Sequence, residues 1–463
     1  MTNWIPTKDC LSHPLHTSLA AAMKSAIEDG RLPAGTKLPP HRDLAHDIGI
    51  SVHTVSKAYE GLRRQGLVGS HVGRGTYVLD PGRPSQQPFL MDRDPNGIID
   101  LSISRPVYDP YHAKVMDGTL RNLPEGLDHD TYLACRPNVG LKAHRESGVK
   151  WLRRCGLETK PENIIMTNGV CNGMTTALAT IAHYGDTVVT EDIAHHLIIS
   201  LCAYFGLKLK GLQTDQDGIV PEAFEKACKA QEVKVLFTVP TQANPTVTTV
   251  PDERRRKLAE IARHHDVTII EDDVWGPLMT DRPVPISMLA PERSIYLTSF
   301  SKCTLSGLRA GYMVAPDQLI PALTGRMLVF NWMATPLVTE IASRWVEDGT
   351  AEELVAWQRR ELALRHAVVA EEMAEFDWRG NPAALHFWLR LPETWTPEAF
   401  VEHAQALGVA VAPPRPFAAP ECKTPHAVRV SLGGAHSASS FRRGLKLLSN
   451  LLKRRPDPIA QPF

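Results

Sequence analysis

The sequence predicts an α/β protein with a small N-terminal winged helix-turn-helix and a large body built on a mostly parallel central sheet. Two short helical segments within residues 38–64 meet at a Gly-containing turn. From residue 99 onward, apolar strand-like runs alternate with helical stretches, as in a parallel sheet covered by helices. Between them, residues 80–88 are rich in Pro, Gly and polar side chains. We therefore expect a head at 1–79, a flexible linker at 80–98 and a body at 99–463.

Composition and charge disfavour several classes of protein. The chain has 463 residues, with 51 Lys+Arg against 51 Asp+Glu, so its net charge gives no general attraction to nucleic acid or membrane. Any DNA binding must come from a local surface. The eight cysteines form no C-x-x-C pair, which favours free thiols in a reducing cytoplasm over disulfides or a metal site. No signal core or membrane-spanning run is present, so a cytoplasmic protein is expected.

Three helices are predicted in the head. The first covers residues 16–29, where apolar residues recur at helical spacing. The second opens at the Pro-Pro pair 39–40 and closes at Gly49, because proline suits the first helical turn and glycine suits a helix end. The third covers residues 52–64 and is capped by Ser51.

A hairpin wing is predicted after the third helix. Residues 66–68 and 71–78 are β-prone, and Gly73 and Gly75 bracket Arg74 between two strands. Arg74 is therefore expected at the tip of the wing.

The head resembles the winged helix-turn-helix of GntR-type bacterial repressors. The matching segments are residues 38–45 (LPPHRDLA), 51–55 (SVHTV) and 73–77 (GRGTY), in the order and spacing of that family. The resemblance implies that the head binds an operator in double-stranded DNA. A small helical domain that binds protein is the alternative, and the joint presence of the wing and the helix-turn-helix disfavours it.

The same resemblance assigns the DNA contacts. Arg42 is expected to contact a phosphate or a base edge, and Arg74 to reach toward the minor groove. Ser51, His53 and Thr54 stand where the recognition helix enters the major groove.

The body is organised around the segment from Ser299 to Arg309. It follows an apolar run, 294–298, that reads as a buried strand. A lysine desolvated at such a strand end, here Lys302, can lose its proton and form an imine with a carbonyl. The nearby serine hydroxyls and the Arg309 guanidinium suit a phosphate. An aldehyde that carries a phosphate is pyridoxal 5'-phosphate (PLP). A solvated loop lysine is the alternative for this segment alone.

Other polar residues follow the preceding predicted strands. In a parallel sheet, ligands bind at the carboxyl ends of the strands. Gly169 and Val170 open an Ala-rich helix whose N-terminus suits a phosphate, Asn244 follows the third strand, and Asp272 and Asp273 follow the fourth.

With the lysine segment, these motifs resemble the fold-type I PLP enzymes, the aspartate aminotransferase superfamily, over about residues 99–435. Together with the head, the whole chain resembles the MocR subgroup of GntR regulators. The resemblance implies an aldimine of PLP at Lys302, and it implies that Asp272 pairs with the pyridine nitrogen as part of an electron sink. Asp273 is then a structural neighbour.

The remaining roles implied by the resemblance concern the rest of the cofactor and the effector. Asn244 bonds the 3'-oxygen of the ring. Ser299, Arg309 and the Gly169–Val170 backbone hold the phosphate. Tyr132 matches a tyrosine that reaches the phosphate from a second subunit, which implies a homodimer. Arg429 matches the arginine that grips a substrate carboxylate in a bidentate pair.

Two residues depart from the superfamily pattern. His195 stands where an aromatic ring usually stacks on the cofactor; histidine can stack, and a core role is the alternative. Trp275 stands where a tyrosine usually donates to the 3'-oxygen, so the pKa of the imine should differ from that of a typical transaminase.

Three functions remain open from the sequence. The first is a transcription regulator in which an amino compound displaces Lys302, forms an external aldimine and shifts the population of a DNA-competent state. The second is a working aminotransferase with a secondary head, and the third, little supported, is a PLP carrier without a DNA role. The fused head and the missing tyrosine favour the first.

The effector is not fixed by any residue. The chain as a whole is similar to MocR-type regulators of ectoine utilisation, which implies a diaminobutyrate-like inducer with a primary amine. Taurine, GABA and vitamin B6 regulators are the alternatives.

Overall fold

A computed structural model of the protein describes most of the chain. The described residues are 6–8, 11–33, 35–64, 67–71, 75–78, 98–133, 135–435 and 437–455. They fall into two compact units, 6–78 and 98–455, each with its gaps. Most of the predicted linker lies outside the described residues.

The head is a three-helix unit with a two-stranded antiparallel hairpin. Its elements are α1 (Leu15–Glu28), α2 (His41–Ile48), α3 (Val52–Arg64), β1 (Val68–His71) and β2 (Gly75–Val78).

Helices α2 and α3 meet at a left-handed turn. Gly49 has φ +74°, a conformation that costs glycine least, and Ser51 Oγ accepts the Thr54 N–H at 3.1 Å as a cap. The Tyr59 hydroxyl of α3 donates to the Pro39 carbonyl at 2.9 Å, which ties the two helices together. The predicted helix-turn-helix is present.

The body contains a seven-stranded sheet, smaller sheets and covering helices. Its strands are β3 (Ile99–Leu101), β4 (Ile164–Thr167), β5 (Thr187–Glu191), β6 (Lys208–Leu212), β7 (Thr214–Asp215), β8 (Gly218–Ile219), β9 (Val235–Thr238), β10 (Thr268–Asp272), β11 (Ser294–Ser299), β12 (Gly311–Val314), β13 (Trp378–Arg379), β14 (His386–Arg390), β15 (Val409–Val411) and β16 (Ala427–Ser431). Its helices are α4 (Pro110–Asn122), α5 (Asp130–Leu133), α6 (Lys142–Arg154), α7 (Val170–Ile181), α8 (His196–Phe205), α9 (Pro221–Ala230), α10 (Asp252–His264), α11 (Ile286–Leu289), α12 (Ile320–Asn331), α13 (Pro336–Glu347), α14 (Thr350–Glu372), α15 (Pro397–Ala406) and α16 (Ala438–Leu452).

The seven-stranded sheet confirms the mostly parallel architecture. Its strand order is β4-β12-β11-β10-β9-β5-β6, and only β12 runs antiparallel to its neighbours. Every residue of β4, β9 and β11 is buried, because helices cover both faces of such a sheet. The carboxyl ends of β4, β5, β9, β10 and β11 therefore meet at one edge.

A second, antiparallel sheet, β13-β14-β16, supplies residues from the C-terminal part of the body. Arg429 lies on β16, and its Cα partner on β14 is Trp388.

Candidate functional site

Lys302 closes the single helical turn Phe300–Lys302 that follows β11. Its Nζ donates to the Ser104 carbonyl and lies 5.6 Å from the centroid of the Trp275 ring. The residue as a whole is half-buried. Burial of the amine, with the charge of Arg429 second, lowers the pKa of Lys302 to about 8. Near neutral pH, a much larger fraction of this amine is therefore neutral, and nucleophilic, than of an ordinary lysine.

The adjacent acids Asp272 and Asp273 have different surroundings. Asp272 lies at the carboxyl end of β10, where its Oδ1 accepts the Val274 N–H at 3.2 Å. Burial raises the pKa of Asp272 to about 7, and the positive charge of Lys302 opposes that shift. A cationic partner for this carboxylate would remove the penalty of burial, as a protonated pyridine nitrogen would.

Asp273 is occupied by structural partners. It is fully buried, it forms an ion pair with Arg282, and it accepts the Tyr296 hydroxyl at 2.6 Å. Its surroundings agree with the structural use expected from the sequence.

An anion cradle lies at the start of α7. Gly169 has φ +83°, and a Cβ at this position would stand 2.8 Å from Arg309 Nη2, so only glycine fits. Arg309 Nη1 donates to Ser301 Oγ at 3.1 Å, and Arg309 Nη2 donates to the Asn168 carbonyl at 3.4 Å. The free N–H groups of a helix start beside a guanidinium suit a phosphate. Val170, the first residue of α7, is buried beneath them.

Ser301 is a site residue that the sequence analysis missed. Ser299, the serine expected at the phosphate, is buried at the end of β11, whereas Arg309 donates to Ser301. The signal was available, because serines stand both one and three residues before Lys302.

Arg429 is buried beside Asn244. Its Nη1 donates to Asn244 Oδ1 at 2.7 Å, and its Nη2 donates to the Ser102 carbonyl. Burial lowers the pKa of Arg429 to about 9. Its guanidinium lies 5.0 Å from the Phe417 ring centroid, and no carboxylate bonds it among the described residues. A buried cation of this kind favours an anionic ligand.

His195 lies at the end of the loop that follows β5. Its Nδ1 is buried without a hydrogen-bond partner in the described part of the chain, and its ring centroid lies 4.6 Å from that of His196. Burial, with the charges of His196, Lys302 and Arg429, lowers the pKa of His195 well below its ordinary value. The imidazole of His195 is therefore neutral near neutral pH.

Trp275 and Tyr132 differ in placement. Trp275 is buried at the site, over Lys302. Tyr132, on the short helix α5, is half exposed, and its ring lies 5.8 Å from that of His129, between centroids. Among the described residues, Tyr132 makes no hydrogen bond or ring contact with the site residues above.

The DNA-contact residues predicted in the head differ in their exposure and in their hydrogen bonds. Arg42 on α2 and His53 on α3 are exposed. Ser51 Oγ and Thr54 Oγ1 lie 2.8 Å apart and bond each other, so these two hydroxyls are partly committed to the helix cap. Arg74 lies outside the described residues.

Two family models match the chain. Residues 96–448 match the family model for aminotransferases of class I and II. The chain belongs to that family. Residues 15–78 of this aminotransferase-family chain match the model for bacterial regulatory proteins of the gntR family. The predicted combination of a GntR head and an aminotransferase-like body is confirmed.

Relatives named as transcriptional regulators align with most of the chain. The uncharacterized HTH-type transcriptional regulator YdeF of Bacillus subtilis is 28% identical over 451 residues, 97% of each chain. The probable rhizopine catabolism regulatory protein MocR of Rhizobium meliloti is 26% identical over 432 residues, 86% of each chain. The aminotransferase-family chain is thus similar to MocR-type regulators along most of its length.

The fold of the body is also that of solved aminotransferases. Kynurenine aminotransferase of Pyrococcus horikoshii matches with a TM-score of 0.70 and 23% identity, over 80% of this chain and 96% of that one. At this identity the likeness concerns the fold. No helix among the described residues combines the length and apolar character that a membrane crossing requires.

Arg42→Ala is expected to weaken DNA binding by the head. If Arg42 contacts a phosphate, all sequences should weaken alike and the salt slope should fall by about one unit. If it contacts a base, the loss should be roughly 1–3 kcal/mol and confined to the operator. Gel-shift titration over a salt series distinguishes these results, with Lys24→Ala on α1 as the charge-matched control. Operator affinity unchanged by Arg42→Ala would exclude the predicted face.

Proposed function

We propose that this chain is a PLP-dependent transcription regulator of the MocR type whose body senses an amino compound. The observation that carries the proposal is that one site contains both Lys302, whose buried amine readily loses its proton, and the buried guanidinium of Arg429. Lys302 can capture a carbonyl, and Arg429 can hold a carboxylate. The head at 1–79 reads DNA, the linker at 80–98 joins it to the body at 99–463, and the protein acts in the cytoplasm.

The residues fit PLP. Lys302 supplies the amine, Asp272 the partner for the ring nitrogen, and Asn244 the amide near the 3'-oxygen. Gly169, Val170, Ser299 and Arg309 form the phosphate end, with Ser301 added by the geometry. His195 would stack on the ring, as the sequence resemblance implies, with a core role as the alternative. When bound, PLP supplies a reactive aldehyde carbon and an electron-withdrawing ring.

Capture of PLP by the cofactor-free protein should depend on pH through Lys302. The neutral amine is the nucleophile, and its fraction rises with pH until the pH passes the pKa, here about 8. The capture rate should therefore rise up to about pH 8 and then level off. Stopped-flow absorbance at the imine band measures it, with Nα-acetyl-lysine as the reference amine. A rate that keeps rising to pH 10, as with an ordinary lysine, would contradict the environment assigned to Lys302.

The effector is an amino compound whose amine takes the place of the Lys302 amine. Release of Lys302 and binding of the effector carboxylate by Arg429 change the contacts at the edge of the sheet. The population of the DNA-competent arrangement then shifts by the difference in effector affinity between the two arrangements. A diaminobutyrate-type compound, implied by the sequence resemblance to regulators of ectoine utilisation, is one candidate, and the positive charges around His386 disfavour its second ammonium. Taurine, GABA and vitamin B6 compounds are the other candidates.

A working aminotransferase is the alternative function. The nearly complete set of cofactor-binding residues favours it, whereas Trp275, which offers no ionisable oxygen to the cofactor, disfavours it. Mixing the PLP form with an amino acid and following the pyridoxamine phosphate absorbance discriminates the two. Repeated turnover with a keto acid would support the enzyme.

The proposed regulatory role is tested by measuring DNA affinity with and without added amines. Fluorescence anisotropy on DNA upstream of the protein's own gene should show an affinity change when 2,4-diaminobutyrate, GABA or taurine is added to the PLP form. The Lys302→Ala protein should show no such change. Equal isotherms with and without every amine in the PLP form would contradict a sensing role.

We further propose a homodimer that covers an apolar surface near the anion cradle. Leu133 and Val329 are each 71% exposed, and Trp332 is 49% exposed. The Trp332 indole donates to the Cys135 carbonyl at 2.8 Å, so these side chains belong to neighbouring segments. The Thr335 N–H bonds Asn168 Oδ1 at 3.0 Å, next to Gly169. A second copy on this surface would bring its Tyr132 toward the phosphate, and two heads could read two half-sites.

Leu133→Glu is expected to weaken this dimer at least tenfold, because a carboxylate would be buried in an apolar interface. Sedimentation equilibrium at micromolar concentration measures the effect, with Tyr204→Glu, at a residue 81% exposed on α8, as the control. A wild-type PLP form that is monomeric at this concentration would contradict the proposal.

A further inference from the structure

Two buried polar side chains lie on the second sheet without hydrogen-bond partners. His386 on β14 is 1% exposed, and Ser431 on β16 is fully buried. Ser431 Oγ and the ring nitrogens of His386 form no hydrogen bond of good geometry among the described residues, although the Ala243 backbone lies close enough to act on the His386 ring. Leaving such groups unpaired destabilises a fold, so unpaired polar groups in a native structure require an explanation.

The two side chains share a face with Arg429. His386 and Ser431 are Cα partners across the β14–β16 pair, and Arg429 stands two residues before Ser431 on the same strand. Alternate residues of a strand point to one face, and directly opposite side chains are neighbours. His386 and Ser431 therefore flank the carboxylate-binding arginine.

His386 also lies close to the lysine end of the site. Its ring centroid is 5.8 Å from that of Trp275, and Lys302 Nζ is 5.6 Å from the Trp275 ring. The charges of both Arg429 and Lys302 act on the imidazole. An amino acid held by its amine at Lys302 and by its carboxylate at Arg429 would present its side chain in this neighbourhood.

We propose that His386 and Ser431 bind the side chain of the effector and select a short, neutral side chain that both donates and accepts hydrogen bonds. A hydroxyl or an amide meets this description. The inference rests on the proposed function, because it needs an amino compound at Lys302 and Arg429.

The charges around His386 explain why a neutral group is selected. Burial first, then Arg429, His366 and Lys302, lower the pKa of His386 well below its ordinary value, against a smaller opposing effect of the Ala243 backbone. The ring is thus neutral and offers one donor and one acceptor. A second ammonium on the effector would add a positive charge close to Arg429, and an alkyl side chain would leave both polar groups unpaired.

Three amino acids of equal chain length test this selection. L-2-aminobutyrate ends in a methyl group, L-homoserine in a hydroxyl and L-2,4-diaminobutyrate in an ammonium. Their affinities for the full-length PLP form are measured by titration of the cofactor absorbance, with thermal shift as a second readout. Homoserine is expected to bind about 5- to 10-fold more tightly than each of the other two.

Variants then assign the selection to the two residues. His386→Phe should abolish the preference for homoserine over 2-aminobutyrate, Ser431→Ala should reduce it, and His386→Gln should keep part of it. His426→Phe, at an exposed histidine just before β16, is the matched control and should leave the preference unchanged. If His386→Phe does not fold, His386→Gln and Ser431→Ala still decide.

The outcomes separate the two proposals. Equal affinity for the three compounds, tighter binding of diaminobutyrate, or a preference that survives both His386→Phe and Ser431→Ala would overturn the inference while the amine-sensing role stands. A cofactor spectrum that no amine perturbs would overturn both.

Discussion

Asp273→Ala is expected to lose roughly 3–5 kcal/mol of unfolding free energy, because it leaves a buried guanidinium without its counter-ion. Asp273 is fully buried and Arg282 is nearly so, and the two form an ion pair. Burial lowers the pKa of Arg282, but Asp273 reverses that effect and holds this pKa above the ordinary arginine value. The variant would also strand the Tyr296 hydroxyl, which donates to Asp273 at 2.6 Å. Urea unfolding of the cofactor-free protein measures the loss.

The control is Asp281→Ala, at an exposed acid beside Arg282. Its unfolding free energy should stay within about 0.5 kcal/mol of wild type. A loss below about 1 kcal/mol for Asp273→Ala would mean that Arg282 finds another partner or water, and that Asp273 is less structural than its contacts indicate.

Lys302→Ala is expected to abolish covalent retention of PLP. The amine is removed, while Asp272, Asn244, Arg309 and the start of α7 keep their places, so the variant can still bind PLP reversibly. After dialysis, the wild type should keep its imine absorbance and the variant should lose it. Lys208→Ala, at an exposed lysine on β6, should behave as wild type. A variant that keeps the imine band after dialysis would show that another amine holds the cofactor.

Local rules explain how much of the fold the sequence could predict. Helix α3 spans the predicted residues, and the Ser51 cap fixes its start, while the left-handed Gly49 ends α2. The strand predicted from the apolar run 294–298 is present as β11, and the strands predicted before Asn244 and at Asp272 are present as β9 and β10, because both faces of this sheet are buried and leave a continuous apolar signal. Their shared carboxyl edge follows from the parallel arrangement, and it explains why the strand-end residues lie together.

Contacts between distant segments could not be predicted in the same way. Strand β12 follows β11 in the chain and lies between β11 and β4, antiparallel to both. The hydrophobic pattern of the sequence does not predict this position. The hydrogen bond from Arg309 to Ser301 depends on the turn Phe300–Lys302 and on the left-handed backbone of Arg309 at φ +50°. His386 reaches the site through the β14–β16 register, and its sequence neighbourhood contains no motif that points there.

Peptide mapping after borohydride reduction tests the central claim most directly, since the proposed sensing role requires a covalent link between Lys302 and PLP. The wild-type PLP form is reduced, digested and analysed by tandem mass spectrometry. The account predicts one phosphopyridoxyl adduct, on Lys302, in the segment that runs from Ser299 to Arg309. An adduct on a different lysine, or no adduct from protein that shows an imine band, would contradict it.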